Sequence, residues 1–170
     1  YAIFNGGRIL TDQQRYGLGL IWNPSMGTVF QSQSRSDSTC WGTKAADSSQ
    51  VYEASDVLTS FVVNDNPWTP APGSNRPEGS VALSYPLGRY GSKTIRFEET
   101  SIQVDIQHAG EFIEMIPLLF EDGATLKVND KTIILKTQDG TMIVRATSPI
   151  DILLRSQTDN IKGGKVCRIV

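Results

Sequence analysis

The stretch Ser101-Ile102-Gln103-Val104-Asp105-Ile106-Gln107 decides the fold. It sets Ile102, Val104 and Ile106 on one face and Gln103, Asp105 and Gln107 on the other. That period of two belongs to a strand with one dry and one wet side, since helical faces recur every 3.6 residues. The residues C-terminal to it agree. After Ala109-Gly110, residues 112–120 are almost continuously apolar, interrupted by Glu114 and Pro117. Pro117 has no N–H to give a ladder, so it marks an edge position or a bulge. Turn signals then come in close order. Glu121-Asp122-Gly123 leads into Leu126 and Val128, Asn129-Asp130 into 133–135, and Gln138-Asp139-Gly140 into 142–144. Asp-Gly between β-rich runs supplies the positive φ that tight hairpins need. Ser148-Pro149 closes this meander, and further strands are predicted at 150–154 and, past Gly163-Gly164, at 166–170.

The first half is less regular. Gly6-Gly7 separates Ile3-Phe4 from Ile9-Leu10, and a strand over 18–22 ends at the turn pair Asn23-Pro24. A strand over 27–33 runs into a Ser-rich loop over 32–38, and strand character returns at 60–63. Between them, Val51, Ala54 and Leu58 approximate helical spacing, so a short helix competes within 45–58, against its content of Ser and Asp. Residues 64–80 hold Pro67, Pro70, Pro72, Pro77, Gly73 and Gly79 and read as a long loop. The segment before that loop is too poor in strands to close its own core, so it is not read as an interdomain linker. The expectation is one all-β domain over 1–170, an antiparallel β-sandwich, alone or as part of a larger supersandwich.

Bulk properties narrow the function classes. A chain of 170 residues buries roughly two-thirds of its unfolded surface, and 39% hydrophobic residues is too many for a disordered chain. Sixteen basic against 18 acidic residues give a net charge of −2. With no basic run, neither a nucleic-acid patch nor an anionic-membrane footprint is written in the sequence. No apolar stretch reaches the roughly 18 residues of a membrane span. The chain starts at Tyr1-Ala2-Ile3-Phe4, without a basic segment and a long apolar one, and reads as a processed or excised piece of a longer polypeptide. Cys40 and Cys167 match no metal spacing. They are two unlinked thiols or a disulfide tying an early loop to the last strand, and only their separation decides between these.

Chemistry-bearing residues are few. His108 is the one histidine, so a Ser-His-acid triad or a histidine base has to use it, and it is the weak catalytic candidate. A multi-histidine zinc site is excluded, and no Asp-rich calcium loop is present, so no metal and no cofactor are expected. Glu98-Glu99 before Thr100 reads as a hairpin turn, and Glu111 as a residue of a wet face. Glu114 interrupts an apolar strand and, if it points inward, needs a cation, for which Arg96 and Arg145 are the candidates. Aromatic rings bind sugars by lying against their C–H faces while polar neighbours take the hydroxyls. Trp41, Trp68, Tyr85 and Tyr90 lie near turn-rich sequence and are the ligand-binding candidates, with Trp68 held between Pro67 and Pro70. Trp68 also reads as a lid packing over the edge of the core.

The run Tyr16-Gly17-Leu18-Gly19-Leu20-Ile21-Trp22, followed by Asn23-Pro24 and Gly27-Thr28, resembles β-sandwich segments of heparinase II/III-like polysaccharide lyases. Phe112-Ile113-Glu114-Met115-Ile116-Pro117-Leu118-Leu119 looks like a matching strand motif. The resemblance covers a small fraction of the chain and carries over no catalytic residue. It implies the sandwich half of a larger secreted, periplasmic or cell-surface enzyme whose α-helical partner domain is not in this sequence. The expected function is then a non-catalytic domain that supports the parent protein or contacts polysaccharide. The alternative is a free-standing carbohydrate-binding or adhesion module of a cell-surface protein, and a small enzyme running on His108 ranks last.

Overall fold

The computed structural model describes residues 2–4, 18–31, 41–47, 51–52, 59–69, 77–120, 123–148, 152–156 and 165–169. All regular structure among them is antiparallel β, arranged in four sheets. A six-stranded sheet orders β1 (Ala2–Phe4), β2 (Leu18–Asn23), β3 (Gly27–Gln31), β12 (Leu118–Phe120), β17 (Lys165–Ile169) and β16 (Ile152–Ser156). A five-stranded sheet orders β10 (Ile102–His108), β9 (Gly91–Phe97), β8 (Val81–Pro86), β6 (Ser60–Val63) and β7 (Asn66–Trp68). Two three-stranded sheets complete it. One is β11 (Phe112–Met115), β4 (Gly42–Ala45) and β5 (Val51–Tyr52), and the other is the meander β13 (Thr125–Asn129), β14 (Thr132–Lys136) and β15 (Thr141–Arg145).

The sandwich-like core follows from alternation. In β8, Val81, Leu83 and Tyr85 are buried while Ala82 and Ser84 face outward, and in β9, Lys93, Ile95 and Phe97 are buried while Ser92, Thr94 and Arg96 face outward. Phe61 of β6 joins that inner face, and Phe30, Trp41, Leu118 and Ile133 meet it from the other sheets and from the start of β4. Leu126, Met142 and Val144 of the meander pack against the same core. Burying a large apolar side chain contributes about 1.5–3 kcal/mol each, so this cluster is the main source of cohesion.

Most predicted strands lie where expected: β2, β3, β6, β10, the three of the meander, β16 and β17. The apolar run over 112–120 is broken at Ile116–Pro117 into β11 and β12, which join different sheets. Pro117 is itself buried at that junction. The β9–β10 connection is the hairpin turn read from Glu98-Glu99, closed by Glu98 N donating to Ser101 O at 2.9 Å. Two readings are corrected. The helix weighed within 45–58 is contradicted at Val51–Tyr52, which is β5, while 48–50 and 53–58 lie outside the described residues. The long loop over 64–80 is not structureless at its start. Asn64 and Asp65 take φ of 48° and 63°, a two-residue turn that folds β7 back on β6. Asn and Asp tolerate this left-handed geometry, and Pro67 is accommodated because β7 is an edge strand. The two central strands β8 and β9 add to the strands expected from the sequence pattern. Of the two cysteines, Cys40 lies outside the described residues, whereas Cys167 lies on β17 opposite Leu118 and Leu154.

Candidate functional site: the wet face and open end of the five-stranded sheet

The outward face of the five-stranded sheet is built from the polar half of each alternation. Ser60, Ser84, Thr94 and Asp105 stand opposite one another across β6, β8, β9 and β10, a row of three hydroxyls and a carboxylate. Three strand spacings make the row about 14 Å long. Ser84 Oγ and Thr94 Oγ1 lie 2.8 Å apart in a shared hydrogen bond, and Ser60 Oγ donates to Ser84 O at 3.4 Å. Next to the row, Ser92 faces Gln107, and Arg96 Nη1 is ion-paired with Asp105 Oδ2. Ser92, Thr94, Arg96, Asp105, Ile106 and Gln107 line an open groove of about 370 Å³. Its one cation and one anion neutralise each other. The face therefore offers hydroxyls, amides and a balanced ion pair, the donors and acceptors that a neutral, hydroxyl-rich ligand requires.

An aromatic stack closes the end of the same sheet. The β8–β9 turn is set by Tyr90 N donating to Leu87 O and Leu87 N donating to Gly91 O. Tyr90 lies in that turn and His108 at the end of β10, where their rings stack at 5.1 Å and 10°. Phe112 tilts against His108 at 5.3 Å, and Tyr52 meets Tyr90 edge-on at 6.2 Å. Arg89 lies over the Tyr90 ring at 5.1 Å and donates from Nη2 to its hydroxyl at 3.3 Å. That hydrogen bond, followed by the charge interaction with Tyr90, raises the Arg89 guanidinium above its ordinary value. Phe112 is 40% exposed and offers the stack's accessible ring.

His108 is arranged for packing. Its Nδ1 lies 3.0 Å from Gly110 O, so Nδ1 carries the proton and donates it to a carbonyl. The other nitrogen, Nε2, is buried and has no hydrogen-bond partner among the described residues. A base of the triad kind needs a nucleophile at one ring nitrogen and an orienting acid at the other. Here the orienting partner is backbone, and the ring lies between Tyr90 and Phe112.

Behind this end lies a buried polar group. Lys93, fully buried, is ion-paired through Nζ with Glu114 Oε1. Thr43 Oγ1 donates to Glu114 Oε2 at 2.5 Å and accepts from Lys93 Nζ at 3.3 Å. The ammonium also lies over the Trp41 ring at 4.3 Å, within cation–π range. Glu114 thus does point inward, but its cation is Lys93 and not Arg96 or Arg145; Arg96 is on the outward face, committed to Asp105. Lys93 falls on the inner face because the β9 alternation places it level with Ile95 and Phe97.

The aromatic candidates therefore separate. Tyr90 and His108 come together. Trp41 and Tyr85 are buried in the core, where neither ring presents a face to solvent. Trp68 is half-buried on β7 and packs edge-on against Phe61 at 5.8 Å. It stands four strands away from β10, about 19 Å across the sheet. Glu111 is exposed, as read from the sequence. Sequence reasoning missed Tyr52, Arg89, Lys93 and Phe112; for Lys93 a signal existed in the alternation over 93–97. Among the described residues no group of three or more His, Cys, Asp or Glu side chains could hold a metal ion, and no helix is long and apolar enough to cross a membrane. No protein-family model, no curated protein and no solved structure matches the chain.

Proposed function

We propose that this chain is a non-catalytic, glycan-contacting β-sandwich domain of a larger polysaccharide-acting protein that works outside the cytoplasm. The observation that carries the reading is the row Ser60, Ser84, Thr94 and Asp105 beside the open groove. A sugar chain presents alternating donors and acceptors at a spacing of a few ångströms, and a flat polar sheet face meets several of its units at once. The exposed ring of Phe112 supplies the apolar contact at the sheet's end. The non-catalytic part of the reading rests on His108, whose ring is held between two aromatic neighbours with a backbone carbonyl at Nδ1.

The test is a polysaccharide affinity-gel and glycan-array screen of the chain, of the double variant Arg96→Ala/Asp105→Ala, and of Trp68→Ala. The Arg96–Asp105 pair is exposed, at 42% and 62%, so its removal costs at most about 1 kcal/mol and leaves the fold standing. Binding that the double variant loses and Trp68→Ala retains supports the site. Binding lost only in Trp68→Ala moves the site to the far edge of the sheet. A chain that binds no polysaccharide overturns the reading.

A further inference from the structure

Among the described residues, β10 is the longest strand at any sheet edge, and apart from Asp105, which is ion-paired with Arg96, it carries none of the usual protection. Its seven residues hold no Lys, Arg or Pro and pair with β9 without a bulge. Several other edges are blunted: β7 contains Pro67 and has three residues, β13 carries Lys127, and β15 ends on Arg145. Unprotected edges are templates for another strand. The inner face of β10 is also incompletely covered, with Val104 37% exposed and Ile102 and Ile106 half-buried.

The backbone of that edge can be assigned from the two ends of its ladder. Glu98 N donates to Ser101 O at one end, and Ala109 N donates to Tyr90 O at 2.7 Å at the other. Antiparallel hydrogen bonding alternates along a strand, so residues 103, 105 and 107 bond to β9. The N–H and C=O groups of Ile102, Val104 and Ile106 then point to the free edge. These are the same residues whose apolar side chains are partly uncovered.

We infer that β10 pairs antiparallel with β10 of a second copy of this chain, about a two-fold axis through Val104. The order Ile102-Gln103-Val104-Asp105-Ile106 complements itself in that register. Val104 meets the partner's Val104, and Ile102 meets the partner's Ile106, so three hydrogen-bonded pairs exchange about six backbone bonds. Their side chains cover one another on the inner face. On the outer face Gln103 stands opposite the partner's Asp105, and its amide donates to that carboxylate. A shift that centres the axis on Asp105 sets two carboxylates face to face, which is unfavourable. The pairing fuses two five-stranded sheets into one and makes their polar faces continuous. It stands independently of glycan binding, because every contact in it is supplied by the chain itself.

The experiment is sedimentation velocity of the full chain across the micromolar range, without any glycan. A reversible monomer–dimer equilibrium is expected. Val104→Pro removes the outward N–H on the axis while leaving the bonds to β9 in place, and weakens the dimer at least about ten-fold. Val104→Lys, which opposes two ammonium groups, weakens it as well should the proline variant lose its β-sheet circular dichroism. Val104→Thr keeps the N–H and the dimer. A chain that stays monomeric at every concentration overturns the inference, as does a dimer indifferent to both Pro and Lys. Open-ended assemblies also overturn it, because a two-fold pair closes.

Discussion

Removing the carboxylate of Glu114 tests how the core tolerates a buried cation. Lys93 Nζ is fully shielded from water and holds Glu114, Thr43 and the Trp41 ring around it. Glu114→Leu leaves that ammonium inside the core without its carboxylate, a loss of about 3–5 kcal/mol for a buried pair. Glu114 is 15% exposed, so water can reach the vacated side, and the lower end, about 3 kcal/mol, is the expected figure. Lys93→Met alone strands the carboxylate instead, and its partial exposure makes that loss smaller. In the double variant Lys93→Met/Glu114→Leu no charge remains, and the methionine keeps the contact with Trp41. Its stability should return to within about 1 kcal/mol of the starting chain or exceed it. Urea unfolding followed by tryptophan fluorescence gives all four corners of the cycle, with equal m-values required for the comparison. The reasoning is refuted if Glu114→Leu costs under about 1 kcal/mol, or if the double variant loses the sum of the singles.

Three other substitutions probe particular atoms. Asp65→Gly relieves a φ of 63° at the β6–β7 turn and should raise stability by about 0.5–1 kcal/mol, read as a higher melting temperature. Asn64→Ala loses the acceptor held by Ser80 N at 3.0 Å and the donor to Glu78 O at 3.0 Å, and costs about 1–3 kcal/mol by denaturant titration. Gly91→Ala places a Cβ 1.8 Å from Gln107 O at a φ of 145°; it should fall by at least about 2 kcal/mol, and an unchanged melting temperature would contradict the β9–β10 register.

Legibility in the sequence tracked the surroundings of each strand. β10 and the meander could be read because each has one wet face and a turn with Gly, Asn or Asp beside it. β8 and β9 lie in the middle of a sheet, flanked by Pro and charged residues. Lys93 on the inner face and Ala82 on the outer one blur an alternation that Val81, Leu83, Tyr85, Ile95 and Phe97 otherwise carry. The same blurring hid the site, since the row of hydroxyls exists only once four strands are in register. Tyr90 and His108 were visible as residue types, but their stacking depends on a pairing across the β9–β10 ladder. Glu114 was recognisable as a residue in need of a cation. Arg is the usual choice for buried pairs, and only the register of β9 shows that Lys93 occupies the inner face instead.

Departures from local rules gather on one side of the five-stranded sheet. An unblunted edge strand with Val104 uncovered, an exposed Phe112 and a buried His108 nitrogen with no hydrogen-bond partner among the described residues all lie on β10 or just after it. At the opposite edge, Pro67 blunts β7, Trp68 packs on Phe61, and Asn64 ties the turn to Ser80 and Glu78. Apart from the positive φ of Asp65, the sequence meets its local requirements at one edge and leaves them unmet at the other, and such unmet requirements concentrate where a protein acts. The polar groove borders the unmet edge, sharing Asp105, Ile106 and Gln107 with it. Strand β10 therefore offers two surfaces from one alternation: side chains at 103, 105 and 107 on the face proposed to contact glycan, and backbone at 102, 104 and 106 on the edge inferred to pair with a second copy.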